Sequence, residues 1–473
     1  MIIDKREFLL DDTIASISTP LGEGGISIIR MSGKDSMKIA ASIFRAGKST
    51  KRGRKKRSFA SHKLYYGHII DNKTGDSVDE VLLAYMKSPK SYTKEDVVEI
   101  SCHGGMLPSR RILDVVLNEG ARLSAPGEFT KRAFLNGRID LTQAESVIDV
   151  IRSKTEKSML FASQQLNGEF SKEIITLKDE LVKIFTYFQA YIDFPEDDTD
   201  IEYDSFIPIV DAIMKKVDIF LETYDEGMIL RNGIKTAIVG KPNVGKSSLL
   251  NVLLKEERAI VTEVPGTTRD TIEEVVNIKG IPLRLIDTAG IRESKCVVES
   301  VGINLTKEKI KDADFVFFVV DAHNDVDESD DEIYKLIKKK KILIIVNKID
   351  LVNDLDKLKK SVAARYKGCS IAYISAKKKR AVTELRSLIY EAVMHKKIVE
   401  ENDRFLINSR HKDILKRTME YLKQIQSGLS ERIFPELICV PLNDALDSLG
   451  EVLGETTSDD ILNNIFSEFC IGK

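Results

Sequence analysis

Hydrophobic and polar residues follow three successive rhythms along this chain of 473 residues. Between residues 10 and 123, short segments alternate or run apolar at 13–18, 25–30, 78–86 and 97–102. That pattern predicts β-strands, with the Pro/Gly-rich stretch 20–25 as a turn and a helix over 107–119. From residue 128 to about 224 the period lengthens. Ile174, Leu177, Leu181, Ile184, Phe188 and Tyr191 recur every three or four residues. Such spacing predicts one apolar stripe along a long helix, which is core packing. The acidic stretch 193–198 ends that helix as a solvated turn.

A third rhythm begins near residue 233. Continuous apolar runs at 236–239, 283–286, 315–320, 342–346 and 371–374 alternate with helical segments. Strands apolar on both faces indicate a doubly wound, mostly parallel sheet. Helical periodicity then returns at 383–395, 413–426, 435–449 and 458–469. Ser458 is the expected N-cap of the last helix, with Asp459 and Asp460 in its first turn. The expected architecture is multidomain, α/β and all-α: an N-terminal α/β domain (1–124), a helical domain in two parts (125–232 and 397–473), and a sheet domain inserted between them (233–396).

The chemistry concentrates in the inserted segment. Gly240-Lys241-Pro242-Asn243-Val244-Gly245-Lys246-Ser247 fits G-x-x-x-x-G-K-[ST], and it lies between a predicted strand and a predicted helix. Glycines let successive N–H groups turn inward around phosphate, and the helix N-terminus that begins at Ser247 and Ser248 adds partial positive charge. Lys246 would reach the β and γ phosphates and Ser247 would ligate Mg²⁺. Gly266-Thr267-Thr268 lies in a Pro/Gly/Thr loop, where a threonine can complete the Mg²⁺ shell. Asp287-Thr288-Ala289-Gly290 follows a strand, so Asp287 would act on the magnesium shell and Gly290 on the γ-phosphate. Asn347-Lys348-Ile349-Asp350 follows another strand. A carboxylate at Asp350 accepts two hydrogen bonds from guanine N1–H and N2–H₂, a donor pair that adenine lacks. Ser375-Ala376-Lys377 would close over the base. Five motifs in this order specify a Ras-like P-loop GTPase. The position after Asp287–Gly290 is Ile291, which cannot orient water, and no arginine finger is evident. Asn243 offers an amide oxygen to a monovalent cation beside the phosphates.

Composition narrows the partners. Lys plus Arg is 72 against 74 Asp plus Glu, so no global basic footprint marks the chain for nucleic acid. The basic run Lys51, Arg52, Arg54, Lys55, Lys56 and Arg57 reads as a solvated loop, with an RNA contact as the alternative. Five scattered cysteines without a C-x-x-C pair suggest neither zinc nor a disulfide framework, and point to a reducing compartment. No apolar run approaches ~18 residues, which excludes a membrane-spanning helix from the reading.

Longer stretches carry a specific likeness. Residues 12–15, 19–30, 91–99 and 126–138, together with the terminal Cys470-Ile471-Gly472-Lys473, resemble the tRNA-modification GTPase family MnmE, also called TrmE, over nearly the whole chain. Position 94 is Lys where the family usually has Gly, and the loop after Lys377 lacks the common Gly. The resemblance implies a cytoplasmic homodimer that works on tRNA with the FAD protein MnmG. Together they install an aminomethyl or carboxymethylaminomethyl group at C5 of the wobble uridine, position 34. The carbon would come from 5-formyl- or methylene-tetrahydrofolate, bound by Arg30, Glu99, Arg138 and Lys473. The resemblance further implies K⁺ held by Asn243, Thr262, Val264 and Thr267, with Glu263, Pro265 and Gly266 completing the nucleotide loop. Ser247 and Thr268 would hold Mg²⁺, Glu299 would activate water, and Cys470 would serve the modification. The GTPase motifs alone also fit a ribosome-assembly switch without one-carbon chemistry, or a folate enzyme with a regulatory GTPase unit.

Overall fold

The computed structural model describes residues 12–47, 59–194, 201–257, 274–286, 310–324, 327–394 and 405–473. The basic run at 51–57 and most of the acidic stretch 193–198 lie outside them.

The first sheet contains β1 (Ile14–Ile17), β2 (Ile26–Ser32), β3 (Phe44–Ala46), β4 (Lys63–Ile70), β5 (Ser77–Met86), β6 (Val97–His103) and β7 (Arg122–Leu123). Their order is β3-β4-β5-β6-β2-β1-β7. Helices α1 (Ser36–Ile43) and α2 (Met106–Asn118) bury one face of it. Ala15, Ile29, Met31, Val98 and Ile100 meet Ile39, Ile112 and Val116 in that core. The two-residue period then turns Arg30 and Glu99 to the opposite face, where strand register sets them side by side.

Five helices follow: α3 (Glu128–Leu135), α4 (Leu141–Arg152), α5 (Glu156–Leu166), α6 (Glu169–Asp193) and α7 (Tyr203–Asn232). The expected stripe on α6 is real, for Ile174, Leu177, Leu181, Ile184 and Phe188 are all buried. Gly233 caps α7 with φ +73, and the chain passes at once into the second sheet.

That sheet contains β8 (Ile234–Val239), β9 (Glu274–Ile278), β10 (Ile281–Leu285), β11 (Phe315–Asp321), β12 (Lys341–Asn347) and β13 (Ser370–Tyr373), ordered β13-β12-β11-β8-β10-β9. All neighbours are parallel except β9 and β10. Helices α8 (Lys246–Glu257), α9 (Glu328–Ile337), α10 (Leu355–Arg365) and α11 (Val382–Val393) accompany it. The unbroken apolar run of β11 serves both faces. Phe315, Phe317 and Val319 enter one core; Val316, Phe318 and Val320 enter the other.

The last helices are α12 (Ser409–Glu431), α13 (Pro435–Leu453) and α14 (Asp459–Ser467). Leu422 and Ile425 of α12 and Leu442 and Leu449 of α13 share one core with the α6 stripe and with Val217 and Phe220 of α7. The second sheet is therefore inserted into a helical body built from both sides of it. Ser458 sits at the N-cap of α14, but its exposed hydroxyl makes no capping bond, so the favourable features left there are Asp459 and Asp460 in the first turn.

Candidate functional site

Strand β8 lies between β10 and β11, so the loops at its C-terminal end diverge and open a crevice. The segment Gly240–Gly245 fills that crevice, and its glycines are sterically required. A Cβ on Gly240 would lie 2.3 Å from the Val319 carbonyl oxygen, and one on Gly245 would lie 2.2 Å from Asn347 Nδ2. Both residues have positive φ, as does Asn243 at +62. Val244 anchors the loop in the core at 2 % exposure. The Lys246 ammonium donates to the carbonyls of Gly240 (2.8 Å) and Lys241 (2.6 Å), so it is already folded over the cradle. Ser247 and Ser248 follow it in the first turn of α8.

The guanine side is knitted to this loop by Asn347. Its amide donates to the Val244 carbonyl (2.9 Å), and its Oδ1 accepts from the Ala376 N–H (3.0 Å). Lys348 takes φ +68 and pairs with Asp321 at 2.6 Å. Asp350 Oδ1 accepts from the Ser375 hydroxyl at 2.6 Å. That hydrogen bond holds the Asp350 carboxyl below its ordinary range, with Lys378 and Lys377 adding to it. The group is ionised at neutral pH, as a double acceptor must be. The loop without the common glycine still closes tightly: Ser375 and Arg380 exchange two backbone hydrogen bonds of 3.1 Å each. Lys379 and Ala381 take up the left-handed conformations, at φ +53 and +60.

These contacts make Gly245 a sensitive backbone position in the crevice. Gly245→Ala must displace the Asn347 amide while adopting a φ of +98. Strain and one lost hydrogen bond together cost about 2–4 kcal/mol. GTP affinity measured by fluorescent-nucleotide titration should fall roughly 30- to 1,000-fold; wild-type affinity would refute the steric argument.

A second constellation lies on the open face of the first sheet. Arg30 donates to Glu99 Oε1 at 2.8 Å from its Nε, and its NH2 lies 2.8 Å from the same oxygen. The Arg30 guanidinium stands 5.5 Å from the Tyr92 ring centre, and that of Arg138 stands 4.8 Å from it. Two arginines distant in sequence thus meet around one aromatic ring, beside a shallow cleft of ≈ 520 Å³ that Tyr92 and Arg138 help to line. Position 94 explains its own family preference. Lys94 takes φ +59, a conformation natural to glycine, and its ammonium donates to the Gly137 carbonyl at 2.8 Å. Nothing in the sequence singles out Tyr92: it stands inside the 91–99 stretch, and its shared ring emerges only when Arg30 and Arg138 converge.

Comparison with known proteins settles the kinship. The family described as the GTP-binding protein TrmE N-terminus matches residues 13–138, and the family described as the MnmE helical domain matches residues 141–470. The tRNA modification GTPase MnmE of Thermoanaerobacter pseudethanolicus is 46% identical over 463 residues, covering 98% of this chain and 99% of that protein. The MnmE of Desulforamulus reducens is 45% identical over 469 residues, covering 98% and 100%. The chain belongs to the MnmE family. It is a GTP hydrolase. The G domain of T. maritima FeoB is 28% identical over 34% of this chain and 99% of that one, with a TM-score of 0.25.

Several MnmE-type candidates fall outside the described residues: the 262–268 loop, Asp287–Gly290 and Glu299. Of the candidate ion ligands, Ser247 and Asn243 are described, and both belong to the Gly240–Ser247 segment and carry oxygen donors of the kind hard cations take. The terminal tail reaches the first sheet. A Cβ on Gly472 would lie 2.3 Å from the Ile17 carbonyl oxygen, so the chain end runs tight against β1, the strand whose Ser16 faces Arg30. Cys470 is a free, exposed thiol, and the Lys473 N–H donates to its carbonyl at 3.3 Å. His103 pairs with Asp79 at 2.7 Å. Among the described residues no group of three or more His, Cys, Asp or Glu could hold a metal, and no helix is long and apolar enough to cross a membrane.

Proposed function

We propose that this chain, as a homodimer in the cytoplasm and with the FAD protein MnmG, adds an aminomethyl or carboxymethylaminomethyl group to C5 of uridine 34 in certain tRNAs. What supports this reading is the approach of Arg30 and Arg138 to the Tyr92 ring, with Glu99 paired to Arg30, in a chain whose guanine-side motif residues are joined by hydrogen bonds. Glu99 suits the paired donors of a pterin edge, and Arg138 and Lys473 suit an anionic glutamate tail. When bound, tetrahydrofolate supplies the carbon, and Mg²⁺ and K⁺ supply positive charge beside the phosphates. Ser247 and Thr268 would hold the first ion; Asn243, Thr262, Val264 and Thr267 would hold the second. Glu299 would orient the attacking water that Ile291 cannot, once two GTPase units pair face to face.

The test has two readouts. GTP turnover should be faster in K⁺ than in Na⁺ and rise with GTPase pairing. Asn243→Ala should abolish the cation preference, and Glu299→Ala should keep GTP binding while losing hydrolysis. Nucleoside analysis of tRNA from cells carrying Cys470→Ser should show the modified uridine lowered or gone, with GTP turnover near wild type. Turnover indifferent to the cation would sink the potassium mechanism; normal modification in the Cys470→Ser strain would make the thiol dispensable.

A further inference from the structure

One face of α4 carries Glu145, Asp149 and Arg152, spaced four and three residues apart. Each reaches a different remote segment. Glu145 accepts from Arg410 Nε (2.9 Å) and NH2 (3.0 Å), where the chain has just returned from the GTPase unit. Asp149 pairs with Arg231 at 2.6 Å, in the last turn of α7, two residues before Gly233 and three before β8. Arg152 donates to the Glu468 carbonyl at 2.7 Å, two residues before Cys470. All six side chains line one cavity of ≈ 340 Å³. Adjacent α5 is pinned to the GTPase unit: the Thr155 hydroxyl at its N-cap donates to the Gly280 carbonyl at 2.8 Å, and Phe161 and Ala162 enter the core below β8 and β10.

The strengths of these pairs differ. Glu145 and Asp149 are each 5 % exposed, and buried charges without partners are costly, so both carboxylates depend on where Arg410 and Arg231 stand. Burial pushes the Asp149 carboxyl up to about 6 against the pull of Arg231, so this pair is the least firmly ionised of the set. Asp149 is in direct contact with Arg231 in the last turn of α7, so a small displacement there reaches Asp149 through that pair. The rigid helix would carry it one turn on to Arg152 and the tail.

We propose that Asp149 and Arg231 are positioning residues that transmit the nucleotide state of the GTPase unit through α4 and Arg152 to the tail bearing Cys470. The inference rests on the proposed use of Cys470, but its test does not. In the full-length chain, iodoacetamide alkylation of Cys470 is followed by mass spectrometry with GDP, and with GDP plus aluminium fluoride in K⁺. The wild-type rate should differ between the two states by about fivefold or more, the lower end of ordinary coupling between sites. Asp149→Asn should erase the difference while leaving GTP turnover within about twofold, and Asp149→Glu should restore part of it. Arg152→Gln removes an exposed contact and one positive charge near Asp149 while leaving the buried Glu145–Arg410 and Asp149–Arg231 pairs in place; it should erase the difference as well. A wild-type Cys470 indifferent to nucleotide, or variants that keep the wild-type contrast, would overturn the proposal. An intact contrast in a chain that modifies no tRNA would instead overturn the functional reading alone.

Discussion

Replacing Asp350 with Asn should lower GTP affinity by roughly 10³-fold or more and make xanthosine triphosphate the preferred nucleotide. The ionised carboxylate, positioned by the Ser375 hydroxyl at 2.6 Å, offers two acceptors to the guanine N1–H and N2–H₂ pair. An asparagine keeps one acceptor and presents a donor to the exocyclic amine, where xanthine carries an oxygen instead. The substitution preserves size, and Ser375 can still donate to the remaining side-chain oxygen, so the 375–380 loop should keep its course. Competition titration of both nucleotides against one fluorescent probe gives the answer. Unchanged GTP preference would show that another group reads the base.

The largest stability effect should come from Glu145→Ala. Glu145 is almost wholly buried beside His411 at 2.8 Å and Arg410. Burial alone would raise its carboxyl, but its charged and hydrogen-bonded partners outweigh burial and hold it well below the ordinary range. Burial also lowers the His411 value, which keeps that imidazole neutral, so Arg410 is the lasting counter-charge. Removing the carboxylate leaves the 15 % exposed Arg410 without its counter-charge, retaining the carbonyls of Glu451 and Val452 and a 2.9 Å approach to His411 Nε2, none of them charged opposite to it. Breaking such a pair costs about 3–5 kcal/mol. The sign of its pH dependence follows. A carboxylate depressed in the folded state stabilises above its unfolded value of 4.5 and loses that contribution as pH falls toward its folded value. Denaturant unfolding followed by helical circular dichroism should show the full gap at pH 7, narrowing below about pH 4.5. An equal gap at pH 7 and pH 3 would mean the loss is of packing and not of charge.

What the sequence determined by itself is what depends on neighbours along the chain. The spacing of Gly240, Gly245, Lys246 and Ser247 fixes a phosphate cradle because backbone N–H groups within one turn make it. The unbroken run at 315–320 demanded a strand buried on both faces, and the three- and four-residue spacing from Ile174 to Phe188 demanded a helix with one wet side. Short or edge strands escaped that reading. β3 and β7 hold three and two residues, and β4 exposes much of its first half, so neither length nor apolarity marks them. The family likeness supplied Arg30, Glu99 and Arg138 as candidates, and only cross-strand register over a separation of 69 residues makes the first two an ion pair. The left-handed turns at Lys94, Lys379 and Ala381 were invisible for a related reason: each is a conformation its residue type disfavours, held by surrounding contacts. The α4 ion pairs join residues 82, 265 and 316 positions apart. Electrostatic pairing acts through space, and the order of residues along the chain says nothing of which charges folding will bury together.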